Sequence, residues 1–301
     1  MRLSDIVAYV TQQPSKKIAV AAADDEQVLA AVNKALQQNL ASFILYGKKN
    51  SLRKLVAEAN LSSYDVNALQ IVETESDEEA AYEAVKAVRF EEADVLMKGN
   101  LHTSQLLKHV LNKEQGLRVK NQILSHVAAF DIPGWDRLIY ITDAAMNIAP
   151  TLEQKAQIIQ NAVNVTRRVN LDVPKVAVLA AVETVNSAME ASIHAGLLAM
   201  MNKRGQIQHC LVDGPLALDN AVSKQAAQYK KIDSEVAGEA DILVLPDIET
   251  GNVLYKSLVY FANASTASII AGAKAPIVLT SRADSIESKL LSVAFAIKSN
   301  S

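Results

Sequence analysis

Cysteine is nearly absent from this 301-residue sequence: Cys210 stands alone. An intrachain disulfide and a thiolate metal cage are therefore excluded. Neither sign of charge is in excess, with 30 Lys and Arg against 33 Asp and Glu and a formal net charge of -3. A chain without a basic block has no electrostatic reason to bind nucleic acid or a membrane surface. Any anion it binds must be held by a few local residues. No apolar run approaches the length of a transmembrane span. The opening MRLSDIVAYVTQQPSKK is polar and amphipathic, unlike a secretory signal, and the expected location is the cytoplasm. Dinucleotide and Walker A glycine patterns and a G-x-S-x-G elbow are also missing. The histidines, at 102, 109, 126, 194 and 209, show no metal-ligand spacing.

What is present is an alternation. Half the residues are hydrophobic, and short apolar runs alternate with longer amphipathic stretches throughout. Strands are predicted at 17–22, 42–46, 68–72, 94–97, 123–130, 138–142, 175–180, 209–212, 241–245 and 277–280. Several are continuous Val/Ile/Leu/Ala runs, as in strands covered on both faces. Helices are predicted at 26–38, 78–89, 104–112, 152–169, 186–202, 254–263 and 286–297. Thr103 or Ser104, Thr151 and Ser285 serve as N-caps. Such alternation implies an α/β fold with a mostly parallel sheet. No repeat, low-complexity tract or linker marks a boundary, and the stretch Asp131–Trp135 is the best place for one crossing between domains.

Open α/β sheets place ligands beyond the carboxyl ends of their strands, and polar clusters follow several predicted strands. In Met97-Lys-Gly-Asn-Leu-His-Thr-Ser104, Gly99 permits close backbone approach and a helix starts at Thr103 or Ser104. Its free N–H groups, with Lys98 and with Lys108 one turn on, suit an anion. The alternative is an ordinary strand–turn–helix junction with solvated lysines. In Thr280-Ser-Arg-Ala-Asp-Ser285, Ser281 offers a hydroxyl, Arg282 a bidentate fork for phosphate and Asp284 a base; Asp284 or Ser285 can equally cap the last helix. The stretch from Leu245 to Lys256 sets Asp247, Glu249, Asn252 and Lys256 around another strand end, where carboxylates can hold a hard cation. Asp143 orients a ligand or caps its own turn, the latter if the stretch stood alone. His126, His209 and Cys210 read as core.

Taken together, VDGPLALDNAV, DSEVAGEADILVLPDIETGNVLYK and APIVLTSRADS, in that order, resemble the phosphate acetyltransferase/phosphate butyryltransferase family over essentially the whole chain. The segments LMKGNLHTSQLLKHVLNKEQGLR and LSHVAAFDIPGWDRLIYITDAAMNIAPTLEQK are most similar to its butyryl branch. The resemblance implies two α/β/α domains with an interdomain cleft, like isocitrate and isopropylmalate dehydrogenases. The first domain would combine 1–125 with 271–301, and the second would be 126–270. It implies reversible transfer of a C4-like acyl group between coenzyme A and inorganic phosphate in a ternary complex. Acyl-CoA and acyl phosphate are then partners, coenzyme A is a substrate, no cofactor or metal is expected, and the assembly is a homodimer or larger. Ser281 and Arg282 match the family's active-site pair. The acetyl enzymes place a catalytic Asp seven residues after that Ser. Here Ser288 stands there, leaving Asp284 or Glu287 as base. An Arg of the acetyl enzymes' substrate site is absent, with Lys108 nearest to it. The substrate contacts expected are Lys98, Gly99, Asn100, His102, Thr103, Ser104, Lys108, Asp143, Asn252 and Lys256. The rival readings are a phosphate acetyltransferase, a metal- and NAD-dependent decarboxylating dehydrogenase, and a ligand-sensing protein without turnover.

Overall fold

In the computed structural model of the chain, residues 1–279 and 284–300 are described. They open with helix α1 (Leu3–Val10), β1 (Lys17–Ala21), α2 (Glu26–Gln37), β2 (Ser42–Lys48), α3 (Lys49–Glu58) and β3 (Leu69–Thr74). Then come α4 (Asp77–Arg89), β4 (Val95–Lys98), α5 (Thr103–Val110), β5 (Ser125–Asp131) and β6 (Ile139–Thr142). Next are α6 (Leu152–Val169), β7 (Lys175–Leu179), α7 (Glu190–Lys203), β8 (Leu211–Leu216), α8 (Leu218–Val222) and α9 (Lys224–Tyr229). The chain ends with β9 (Ile242–Val244), α10 (Ile248–Tyr260), β10 (Ser265–Ala271), β11 (Ile277–Val278) and α11 (Ile286–Ser299). Two compact units result. A terminal unit holds Leu3–Gln122 and Ala267–Ser301, and a middle unit holds Met1–Arg2 and Ile123–Thr266.

In the terminal unit the strands lie in the order β3-β2-β1-β4-β11-β10, parallel except for β11 against β10. The chain steps outward from β1 to β3 and then returns to the other side of β1 to form β4. Right-handed crossovers therefore put α2 and α3 on one face and α4 on the other. The packing agrees: α2 lies against α3 and α11, whereas α4 lies against α5. Local chemistry fixes the helices. Asp25 caps α2 by accepting from the Val28 N–H, and Val28, Leu29, Val32, Ala35 and Leu36 form its buried stripe. Ser76 caps α4, whose first turn is acidic and last turn basic, matching the helix dipole.

The middle unit orders its strands β5-β6-β9-β7-β8, with only β5 and β6 antiparallel. Here β7 and β8 are neighbours through α7, and β9 returns to the other side of β7. Its core gathers Phe130, Ile139, Ile141, Leu216, Leu243 and Leu245. The Asp131–Trp135 stretch is the turn joining β5 to β6, with Gly134 at φ +85° and Trp135 N–H donating to the Ile132 carbonyl. No helix among the described residues is long and apolar enough to cross a membrane.

Candidate functional site

A reversal of strand order opens a crevice at the carboxyl ends of the two strands flanking it. In the terminal unit those strands are β1 and β4, and a cavity of about 410 Å³ lies there. Asp24, Asp25, Glu26 and Gln27 line it from the turn into α2, Lys98, Gly99 and Asn100 from the end of β4, and Lys289 from α11. Its floor is tight. The Gly99 N–H donates to the Ala21 carbonyl at 2.8 Å and the Asn100 N–H to the Ala22 carbonyl at 2.6 Å. A Cβ on Gly99 would stand 2.0 Å from the Ala22 oxygen. The close approach that requires glycine here is thus strand to strand. Ala22 itself has φ +55°, turning the chain into the acidic segment.

Two lysines enter this crevice from buried positions. Lys98 is 7% exposed, and its Nζ donates to the carbonyls of Gly99 (3.0 Å) and Leu101 (3.2 Å). Lys289 is 2% exposed; its Nζ donates to the Asp284 carbonyl at 2.5 Å and to Gln27 Oε1 at 3.4 Å. Burial holds the Lys289 ammonium below the usual lysine range, opposed by the charges of Asp284 and Asp25. The carboxylates beside them are partly engaged, with Asp24 Oδ1 buried and without a hydrogen-bond partner. Asp24 accepts from Ser51 at 2.9 Å and pairs with Lys48 at 3.7 Å, and Asp25 caps α2.

Some anticipated residues meet at this crevice and others do not. Lys98, Gly99 and Asn100 line it, and Asp284 reaches it through Lys289. Strand β11 runs beside β4, with Val278 paired to Met97. Ser281 and Arg282, three and four residues beyond Val278, lie outside the described residues. His102, Thr103 and Ser104 are exposed around the start of α5 and are absent from the crevice lining. Lys108 points to α4, 2.8 Å from Glu78, whose carboxyl it holds below the usual range. Glu287 pairs with Lys34 on α2. Sequence reasoning passed over Asp24, Gln27 and Lys289. The one available signal was a lysine set among the apolar residues of the last helix.

The middle unit has its own reversal, between β7 and β9, and a cavity of about 830 Å³ occupies it. Its lining is mostly apolar: Leu179, Ala180, Met189, Leu218, Leu245 and Val253 contribute. Asp247, at its edge, caps α10 by accepting from Thr250 N–H at 2.8 Å. Asp143 is 3% exposed and spends its carboxylate on its own turn, accepting from Ala145 N–H, Met146 N–H and Asn147 Nδ2. Gly251 brings α10 onto that turn, since a Cβ there would lie 2.5 Å from the Asp143 carbonyl oxygen. Asn252 and Lys256 project from the same helix, exposed. Nearby, Lys155 Nζ lies 3.1 Å from His194 Nδ1, and burial lowers the proton affinity of both groups. Cys210 is buried just before β8, its thiol pushed up to about 11 by burial. Among the described residues, no three His, Cys, Asp or Glu side chains gather as a metal site.

The family model for phosphate acetyl/butaryl transferase matches residues 2–83 and 59–297. The chain belongs to that family, and it is an acyltransferase. It is 56% identical to a protein named probable phosphate butyryltransferase from Bacillus subtilis (strain 168), over 99% of this chain and 97% of that one. It is 45% identical to a phosphate acetyltransferase from Thermotoga maritima, over 93% of this chain and 94% of the relative. Among solved structures, a branched-chain phosphotransacylase from Enterococcus faecalis V583 superposes with a TM-score of 0.84 at 36% identity. That match covers 95% of this chain and 99% of the other.

Proposed function

We propose that the chain transfers a butyryl group reversibly between coenzyme A and inorganic phosphate, with the phosphate held at the β1/β4 crevice. The observation that carries this reading is the burial of Lys98 and Lys289 in one cavity at a strand-order reversal. Fixed ammonium groups in a partly desolvated crevice suit a small dense anion. The 56% identity to the Bacillus subtilis relative supports the butyryl acyl group.

In this mechanism Arg282 and Lys98 bind phosphate oxygens, and Ser281 donates to the oxygen of the reacting carbonyl. A phosphate oxygen attacks the thioester carbon, giving a tetrahedral oxyanion. Its collapse breaks the C–S bond and releases coenzyme A with butyryl phosphate. In the reverse direction the Asp284 carboxylate removes the thiol proton as sulfur attacks butyryl phosphate. Gly99 and Asn100 shape the phosphate floor. His102, Thr103, Ser104, Lys108, Asn252 and Lys256 are assigned to the longer coenzyme A substrate, whereas the Asp143 carboxylate serves its own turn. The finer fold assignment, two α/β/α domains of the isocitrate/isopropylmalate dehydrogenase kind divided near residues 125 and 270, belongs to the same reading and draws on the two compact units.

The test is coenzyme A release from butyryl-CoA with and without phosphate, in wild type and Arg282→Ala. Losing a bidentate phosphate contact should cut turnover by about 100-fold or more; near-normal turnover at saturating phosphate would refute the assignment. A second reading, acetyl transfer, is favoured by the 45% identity to the Thermotoga maritima relative, and relative rates with acetyl-CoA and butyryl-CoA decide between them.

The working form is a homodimer or larger. Helix α10 buries only Gly251, and leaves Val253 and Tyr260 at 65% and 68% exposure, with Phe261 just beyond its end at 87%. Met189 at the start of α7, Leu197 and Met200 on it, and Leu218 beside the apolar cavity are further exposed apolar side chains. A second copy of the chain is the occupant proposed.

A further inference from the structure

The β1/β4 crevice is lined by charges of both signs. Lys98 and Lys289 enter it from buried positions, and the turn from β1 into α2 adds Asp24, Asp25 and Glu26. Two ammonium groups against three carboxylates leave the lining with no formal positive excess. A site open to any small anion would do better without the acids, since each carboxylate repels it.

The two aspartates are also short of donors. Asp24 is 9% exposed, and its Oδ2 accepts from Ser51 Oγ at 2.9 Å and pairs with Lys48 at 3.7 Å. Its Oδ1 is buried without a hydrogen-bond partner. Asp25 gives Oδ1 to the Val28 N–H at 3.0 Å as the cap of α2, and its Oδ2 accepts no hydrogen bond among the described residues. An ionised carboxylate only accepts, and an acceptor left bare in a partly desolvated crevice is costly unless a bound molecule supplies the donor.

A ligand that suits the whole lining brings negative charge for the lysines and an O–H for the aspartates. Inorganic phosphate has both, because at neutral pH at least one of its oxygens keeps a proton. Sulfate has the same tetrahedral shape and charge but no proton to donate. It would meet the carboxylates with bare lone pairs, and the repulsion would go uncompensated.

We infer that Asp24 and Asp25 make this crevice select phosphate over sulfate, a P–OH group donating to an aspartate oxygen while Lys98 and Lys289 supply the attraction for the anion. This rests on the reading above that the crevice holds the phosphate of the transfer reaction. No bond is made or broken in the selection, and the unprotonated oxygens remain for attack on the thioester.

The experiment follows phosphate-dependent coenzyme A release from butyryl-CoA by the full chain as sulfate is added, with ionic strength held constant by chloride. Wild type, Asp25→Asn and Asp24→Asn are compared, and each is melted. Asparagine caps a helix as well as aspartate does, so Asp25→Asn should melt within about 5 °C of wild type. Its amide offers a donor where the second carboxylate oxygen only accepted. In wild type the inhibition constant for sulfate should exceed KM for phosphate by about 100-fold or more, as a site built around a substrate O–H rejects the analogue lacking it. Asp25→Asn should shrink that ratio by at least about tenfold, chiefly through tighter sulfate binding. Asp24→Asn should shrink it in the same direction, and it decides the matter if the Asp25 variant does not fold. Sulfate that competes within about tenfold of phosphate in wild type overturns the inference. So does a ratio that stays within about twofold of wild type in the folded variants. Wild type without phosphate-dependent release would instead overturn the acyl-transfer reading itself.

Discussion

Both units reverse their strand order, and both open a cavity at the reversal, yet the two cavities are chemically opposite. Between β1 and β4 the walls carry buried lysines and an acidic turn. Between β7 and β9 they carry leucine, alanine, methionine and valine. Of the polar groups there, Asp247 is spent on the start of α10, while Glu190 and Glu249 also line the crevice; Asp143 is spent on its own turn. Topology thus says where a crevice forms, and the side chains say what it takes. A charged small molecule suits the first, and an apolar surface suits the second.

The sharpest way to break this comparison is to obstruct the first crevice. Gly99→Ala must force β4 away from β1, because the new Cβ would lie 2.0 Å from a main-chain oxygen. It should cost about 3 kcal/mol or more in denaturant unfolding and abolish activity. The counterpart in the middle unit is Asp143→Ala, which removes the acceptor of the Ala145 and Met146 N–H groups and one acceptor of Asn147 Nδ2. It should cost about 2–3 kcal/mol in the same measurement. A loss of activity without that loss of stability would move Asp143 from turn-former to substrate ligand.

The apolar side of the comparison is tested by charge. Phe261→Asp combined with Val253→Lys should shift sedimentation toward a monomer while far-ultraviolet circular dichroism stays unchanged, since both side chains are mostly exposed. Unaltered sedimentation would remove α10 from the interface. A smaller effect comes from His194, whose proton affinity is lowered first by burial and then by Lys155. Its folded pKa lies below its unfolded value near 6.5, so the unfolded chain binds more protons as pH falls. The associated stability is present above about pH 6.5 and lost on acidification below it. His194→Gln should reduce the drop in melting temperature between about pH 7 and 5. The smallest change concerns Lys108, an exposed partner of Glu78. Lys108→Ala should leave the melting temperature unmoved, so a raised KM for butyryl-CoA would mark Lys108 as a ligand contact.

Much of the architecture was legible because α/β alternation and helix caps are local signals. Thr151 before α6 and Ser285 before α11 both cap as the sequence implies. The start of α10 was not legible. Asp247 and Gly251 read as loop residues, but the glycine is needed inside the helix because the Asp143 turn lies against it. Strand β8 starts at Leu211 because His209 adopts φ +62°. Strand β10, rich in Ser, Thr and Ala, lacks the bulky apolar run that marks its neighbours. Of the site, Lys98, Gly99 and Asn100 were visible from their place after a strand. Lys289 was hidden: a lysine on a helix reads as solvated, and only packing against α2 buries it. The acidic turn after β1 was hidden for a related reason, since it gains meaning only once β4 lies beside it.

The most direct measurement of the central claim is coenzyme A released from butyryl-CoA as phosphate is titrated, with acetyl-CoA run in parallel. The account predicts saturable dependence on phosphate, butyryl phosphate formed in equal amount to coenzyme A, and a higher kcat/KM for butyryl-CoA than for acetyl-CoA. Coenzyme A release that ignores phosphate, or none with either thioester, would contradict it.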